Sequence, residues 1–144
     1  CAIGQGVILC APNAHVAAEG TAEFRTLMAG AGLIDELPEK LIDAAGTLTG
    51  CGPAFAYLFA EALADGGVAC GLPRAKAQTY AAAMLRGSAA MVLETGKHPG
   101  ELKDAVCSPG GTTIEGIAAL ERNGFRNAAI EAVRASFGKT AKLG

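Results

Sequence analysis

Pro53-Ala54-Phe55-Ala56-Tyr57-Leu58-Phe59-Ala60-Glu61-Ala62-Leu63-Ala64-Asp65-Gly66-Gly67-Val68-Ala69 is the stretch on which the fold turns. Phe55, Leu58, Phe59, Ala62 and Leu63 recur at i, i+3, i+4, i+7 and i+8, with Glu61 and Asp65 on the opposite side. That period belongs to an amphipathic helix, and Gly71 stops it. Its start is expected at Pro53, which suits a first helical turn, after a break formed by the alternating glycines of Leu48-Thr49-Gly50-Cys51-Gly52. Cys51 would then stand near a helix N-terminus, a position that can lower a thiol pKa. No partner base accompanies it, so a small packed residue is the better reading.

Toward the C-terminus the same periodicity continues. Leu72-Pro73 opens a long alanine-lined helix with Ala77, Tyr80, Ala81, Met84, Leu85, Ser88, Met91 and Val92 on one face, up to Gly96. A short helix is expected from about Pro99 to Val106. After the turn Ser108-Pro109-Gly110-Gly111, another carries Ile114, Ile117 and Leu120 and ends at Asn123-Gly124. The last helix is predicted to bury Ile130, Val133 and Phe137, with Lys139 and Lys142 near the negative end of its dipole.

Toward the N-terminus the character changes. Val7-Ile8-Leu9, bounded by Gly6 and by Pro12-Asn13, suits a buried strand. A helix from about Ala17 to Ala29 holds Phe24, Leu27 and Met28, and Leu33 to Leu37 reads as a second strand. Pro38-Glu39-Lys40 then starts the helical region. Strand, helix, strand in residues 1–38 resembles the closing portion of an α/β domain, too small for a stable sheet alone. The boundary is placed between residues 38 and 39. The chain opens on Cys1 without a basic start, an apolar signal core or a cleavage site, and is expected to be cut from something longer.

Composition narrows the function. No apolar run approaches the roughly 18 to 20 residues of a membrane-spanning helix, and charges punctuate every hydrophobic stretch. With a formal charge of -2 and no basic stripe, nothing matches the footprint of a nucleic-acid binder. Cys1, Cys10, Cys51, Cys70 and Cys107 are odd in number and form no C-x-x-C pair, which fits reduced thiols in a cytoplasmic protein. His15 and His98 stand far apart, outside metal-ligand spacing with any cysteine. The 20 glycines are about twice the usual share of roughly 7%, so closely approaching helices are expected. Helices apolar on more than one side predict a dimer, since a monomer would leave a large hydrophobic patch in water.

The segment best suited to chemistry is Cys107-Ser108-Pro109-Gly110-Gly111-Thr112-Thr113. Two adjacent glycines feed directly into a helix N-terminus, where free backbone N–H groups and aligned peptide dipoles make a carboxylate or phosphate site. The hydroxyls of Ser108, Thr112 and Thr113 add donors. Residue pattern alone favours a plainer reading, in which Ser or Thr caps the helix and Gly-Gly makes a tight turn. His98, beside Pro99 in a turn, is read as a surface or capping residue rather than a proton shuttle.

Gly52-Pro53-Ala54-Phe55, Glu61-Ala62-Leu63-Ala64-Asp65-Gly66-Gly67-Val68, Gly71-Leu72-Pro73-Arg74, His98-Pro99-Gly100-Glu101-Leu102-Lys103-Asp104 and Ser108-Pro109-Gly110-Gly111-Thr112-Thr113 occur in this order. That set resembles pyrroline-5-carboxylate reductase, and with Leu41-Ile42-Asp43-Ala44 the resemblance covers nearly the whole chain. It implies a mainly α fold, in which an all-helical intertwined dimerisation and substrate-binding domain (39–144) follows a small α/β remnant of a Rossmann domain (1–38). It also implies NADPH- or NADH-dependent reduction of 1-pyrroline-5-carboxylate to L-proline by a homodimer or a higher assembly. No G-x-G-x-x-G follows a strand near the start, so most of the cofactor domain is expected to lie outside these residues. By the same resemblance Ser108, Gly110, Gly111, Thr112 and Thr113 hold the substrate carboxylate. Thr113 is the catalytic position, bonded to the ring nitrogen, and Val106 and Cys107 neighbour the nicotinamide. Gln5 stands where the family often has a Glu close to the substrate amine, and a neutral amide there should attract a cationic nitrogen less. Thr49 and Cys51 stand where the family usually has Ser. The competing reading is a catalytically silent oligomerisation or small-carboxylate-binding module.

Overall fold

The computed structural model describes residues 1–140 and 142. Strand β1 (Gly6–Cys10), helix α1 (Ala18–Met28) and strand β2 (Gly32–Glu36) come first, and five helices follow: α2 (Ile42–Ala69), α3 (Arg74–Thr95), α4 (Pro99–Ala105), α5 (Thr112–Arg122) and α6 (Phe125–Thr140). The chain divides into two compact units, one of Cys1–Pro53 with the chain from Val133 onward, the other Ala54–Ala132.

In the first unit β1 and β2 pair in parallel, Gly6 opposite Gly32 and Cys10 opposite Glu36. A parallel pair needs a crossover, and α1 supplies it. Gly32 has φ 139, and a Cβ there would run into the Gly6 backbone, so the pairing needs glycine at that rung. Arg25 on α1 ties the crossover to β2 through the Ile34 carbonyl at 3.3 Å and Glu36 at 3.6 Å. A one-turn 3-10 segment, Glu39–Leu41, leads from β2 into α2. The buried Thr47 hydroxyl lies 3.4 Å from that of Thr140 in the same unit.

One expectation fails here. Residues 50–53 are not a break before a helix, because α2 runs without interruption from Ile42 to Ala69 with Pro53 inside it. Cys51 therefore occupies a mid-helix position with no N-terminal dipole beside it. Proline removes one backbone hydrogen bond and crowds the preceding turn at a cost of about 3 kcal/mol. The neighbouring Gly50 and Gly52 carry no side chains to add to the crowding, and the helical sequence on both sides keeps the helix whole.

In the second unit the core is small. Ala64 of α2 and Ala77 and Ala81 of α3 are buried, with Leu63 and Val68 packed against them. Arg74 at the start of α3 pairs with Asp65 on α2. Phe59 and Phe125 stack with ring centroids 5.1 Å apart, at the side of an apolar groove lined by Phe55, Leu58, Ala128, Ala129 and Ala132.

Large apolar side chains stay in solvent along the helices: Leu58 is 67% exposed, Tyr57 73% and Leu93 79%. The predicted buried side of α6 is likewise open, with Ile130 at 51% and Phe137 at 43%. The period was read correctly, yet among the described residues that face is only partly covered, with Val133 half-buried. Large apolar side chains left exposed in this number are more than a monomer's surface ordinarily carries. No helix among the described residues is long and apolar enough to cross a membrane.

Candidate anion-binding loop

The loop between α4 and α5 is set by its own residues. The Gly111 N–H donates to the Ser108 carbonyl at 3.0 Å, closing a turn with Pro109 and Gly110 at its centre. Gly110 has φ 67, the left-handed value that the third position of a type II turn requires, and Pro109 presets the second. A Cβ on Gly111 would collide with the Ser108 side chain, which folds back over the turn. Gly110 is therefore dictated by the turn, and Gly111 leaves room for the Ser108 hydroxyl.

Gly111 is the N-cap of α5 in an extended conformation, and among the described residues no side-chain hydrogen bond caps the helix. The capping role that the Ser/Thr pattern favoured is thus not taken, and the first N–H groups of α5 keep no intrahelical acceptor. Those donors, the dipole of an eleven-residue helix and the exposed residues Ser108, Thr112 and Thr113 belong to the same helix end. Glu115 lies in the first turn of α5, where it favours the helix and opposes an incoming anion in part.

The structure therefore brings Ser108, Gly110, Gly111, Thr112 and Thr113 together. Val106 is 65% exposed and ends a groove of about 430 Å³ lined by Met91, Val92, Pro99 and Leu102, while Cys107 is half-buried. Gln5 is exposed in the turn before β1, in the other compact unit. Among the described residues no group of three or more His, Cys, Asp or Glu side chains is placed to hold a metal ion.

The flanks of the loop hold charge and caps. His98 accepts the Gly100 N–H on Nδ1 at 3.0 Å and so caps α4, the plainer of its two expected roles. Lys97, just before α4, pairs with Glu101 in its first turn at 2.6 Å. Asp104 hydrogen-bonds the half-buried Lys103 and raises its pKa, with a further contribution from Cys107 at the loop's entrance. Lys103 thus remains cationic beside the loop.

On the other flank, Arg126 bonds Glu121 at 2.6 Å across the turn between α5 and α6 and holds its carboxyl below the usual 4.5. A depressed carboxylate contributes stability above the unfolded value and loses it as pH falls through the lower folded value. Arg126→Ala is expected to return the Glu121 carboxyl to the ordinary carboxylate range, read by carbon-detected NMR titration. The stability difference between the two proteins should be complete at neutral pH and fade below about pH 4.5.

Sequence reasoning missed the Phe59–Phe125 stack. Phe125 follows Gly124 directly, and the helical pattern of α6 was assigned to Ile130, Val133 and Phe137. The only signal for it was an aromatic at a helix's first position.

Comparison with known proteins agrees with the geometry. Residues 39–143 match the family model described as pyrroline-5-carboxylate reductase dimerisation. A pyrroline-5-carboxylate reductase of Synechocystis is 46% identical over 142 residues, 99% of this chain and 53% of the relative. One of Escherichia coli is 45% identical over 141 residues, covering 98% and 52%. Among solved structures, the Plasmodium falciparum pyrroline carboxylate reductase with NADP bound superposes with a TM-score of 0.89 at 34% identity, over 99% of this chain and 54% of that one. The Coxiella burnetii reductase gives 0.92 at 29%, over 99% and 53%. The chain spans about half the length of the curated relatives it matches. With the helical order, the Ser108-Pro109-Gly110-Gly111 turn and the match over residues 39–143 in agreement, the chain belongs to the pyrroline-5-carboxylate reductase family.

Proposed function

We propose that the chain is the substrate-holding and homo-oligomerising part of a reductase that converts 1-pyrroline-5-carboxylate to L-proline in the cytoplasm. The observation that carries this reading is the uncapped N-terminus of α5 behind the Ser108 to Gly111 turn. The substrate is a cyclic imine bearing one carboxylate. The free N–H groups of the first turn, with the Ser108 and Thr112 hydroxyls, suit that carboxylate in charge and geometry. Fixing it there places the ring beside Thr113.

The Thr113 hydroxyl then hydrogen-bonds the ring nitrogen. As the C=N bond is reduced at carbon, the nitrogen gains electron density and must carry a proton. A hydroxyl is too weak an acid to donate alone, so Thr113 orients the ring and relays a proton from solvent. NADPH or NADH supplies the hydride in this family reading. The chain's residues fit only the reactive end of that cofactor: Val106 and Cys107 border the loop, and no G-x-G-x-x-G turn occurs in the 144 residues. Gln5 stands at a position where the resemblance puts a carboxylate, and it offers a neutral carbonyl acceptor instead. In the same reading the domain division falls at 38/39, next to the start of the family match, and the exposed helical faces pack against a second copy or a higher assembly.

A chimera tests the reading. These residues replace the matching half of the Escherichia coli relative, and NADPH oxidation is followed with 1-pyrroline-5-carboxylate. Turnover is expected. A folded, associated chimera without turnover would leave only a silent oligomerisation or carboxylate-binding module.

A further inference from the structure

We propose that residues 47–53 of α2 form a built-in flexure, at which the helix bends and opens locally while the turns on either side stay formed. The inference stands on the helix alone and does not depend on the reductase reading.

Three features that loosen a helix meet in this short stretch. Pro53 has no N–H, so the Thr49 carbonyl lacks its usual donor, and the ring crowds the same carbonyl. The hydroxyls of Thr47 and Thr49 donate back to the Asp43 and Ala45 carbonyls at 2.7 and 3.0 Å, a bonding pattern that bends helices. Gly50 and Gly52 sit in the turn that Pro53 disrupts, and Gly46 one turn earlier.

The glycines make the point sharper. A Cβ added at Gly46, Gly50 or Gly52 would meet nothing within 4 Å. Farther along α2 a Cβ at Gly67 would press on Ala77 and Leu72, each at 3.3 Å, so that glycine answers to packing in the chain. The three in the N-terminal half do not, although each makes the helix about fivefold less favourable than alanine would. Open space together with weak helix formers is what a flexing segment needs. Known causes of helix bending are Pro, Gly and side chains that bond into the ladder, and all three are here.

The rival explanation is that the glycines admit a helix of a second copy at close range. Amide hydrogen exchange on the whole chain, paired with light scattering on the same samples, separates the two. In the unsubstituted chain, amides of residues 48–52 should exchange at least about fivefold faster than those of residues 58–64, the effect of one missing hydrogen bond. In Gly50→Ala/Gly52→Ala their exchange should slow by about fivefold per substitution with the association state unchanged. Pro53→Ala, which restores the missing donor, should slow it too. Uniform exchange along α2 in the unsubstituted chain would overturn the proposal, and so would loss of association in the double variant.

Discussion

Leu58→Asp is expected to break the chain's self-association while leaving each copy folded. Leu58 is 67% exposed in the single chain, on the same groove wall as Phe55 and Phe59. A substitution at so exposed a position changes the stability of an isolated chain by no more than about 0.5 kcal/mol. Placed within an interface, a buried charge in an apolar pocket costs about 2 kcal/mol or more, a loss of roughly 30-fold in affinity. Light scattering of the unsubstituted chain should return twice its 14.4 kDa or a higher multiple, and the variant should return the monomer with its helical circular dichroism retained. A stable monomer of the unsubstituted chain at micromolar concentration would contradict the reading of the exposed faces.

Gly110→Val is expected to cost the chimeric reductase at least about 100-fold in kcat/KM, the scale of a 1 Å misplacement of a reacting group. Gly110 holds φ 67, and a β-branched side chain strains that conformation by about 1–2 kcal/mol or more. The turn relieves the strain by opening, which breaks the Gly111 to Ser108 bond and swings the α5 N-terminus away from the carboxylate. Pro109→Ala, which leaves the left-handed position to glycine, should lose far less. Steady-state kinetics of the two variants, with circular dichroism to show that both remain helical, check the contrast. Equal losses would mean that the loop's conformation is not what holds the substrate.

The helices and strands were legible because they obey local rules. The apolar run from Val7 to Leu9, the period in Phe55, Leu58 and Phe59, and the glycines at 71, 96 and 124 each mark an element or its end within a residue or two. Pro53 was misread because a proline at a helix start and one inside a helix look alike in sequence. What decides between them is whether the preceding turns have reason to be helical, and here a glycine-rich stretch concealed that they do. The burial expected on α6 failed for a different reason. Periodicity identifies an apolar face but not whether the same chain or another covers it, and Ile130 and Phe137 stay about half exposed.

The candidate loop shows the same division. Two adjacent glycines after Ser108-Pro109 announced a turn and a helix start, and the resemblance named the residues. Sequence could not say whether a hydroxyl would cap α5, because the geometry of the turn decides which residue becomes the N-cap, and Gly111 takes that position. The consequence is a helix end with its donors free, and that is the feature on which a carboxylate would settle.

Titration of the isotopically labelled chain with L-proline, followed through backbone amide signals, tests the central claim most directly. The account predicts saturable shifts at Gly111, Thr112, Thr113 and Ile114, at the turn and first N–H groups of α5, and their loss in Gly110→Val. Shifts absent from these amides at saturating proline, or spread without preference over the six helices, would contradict it.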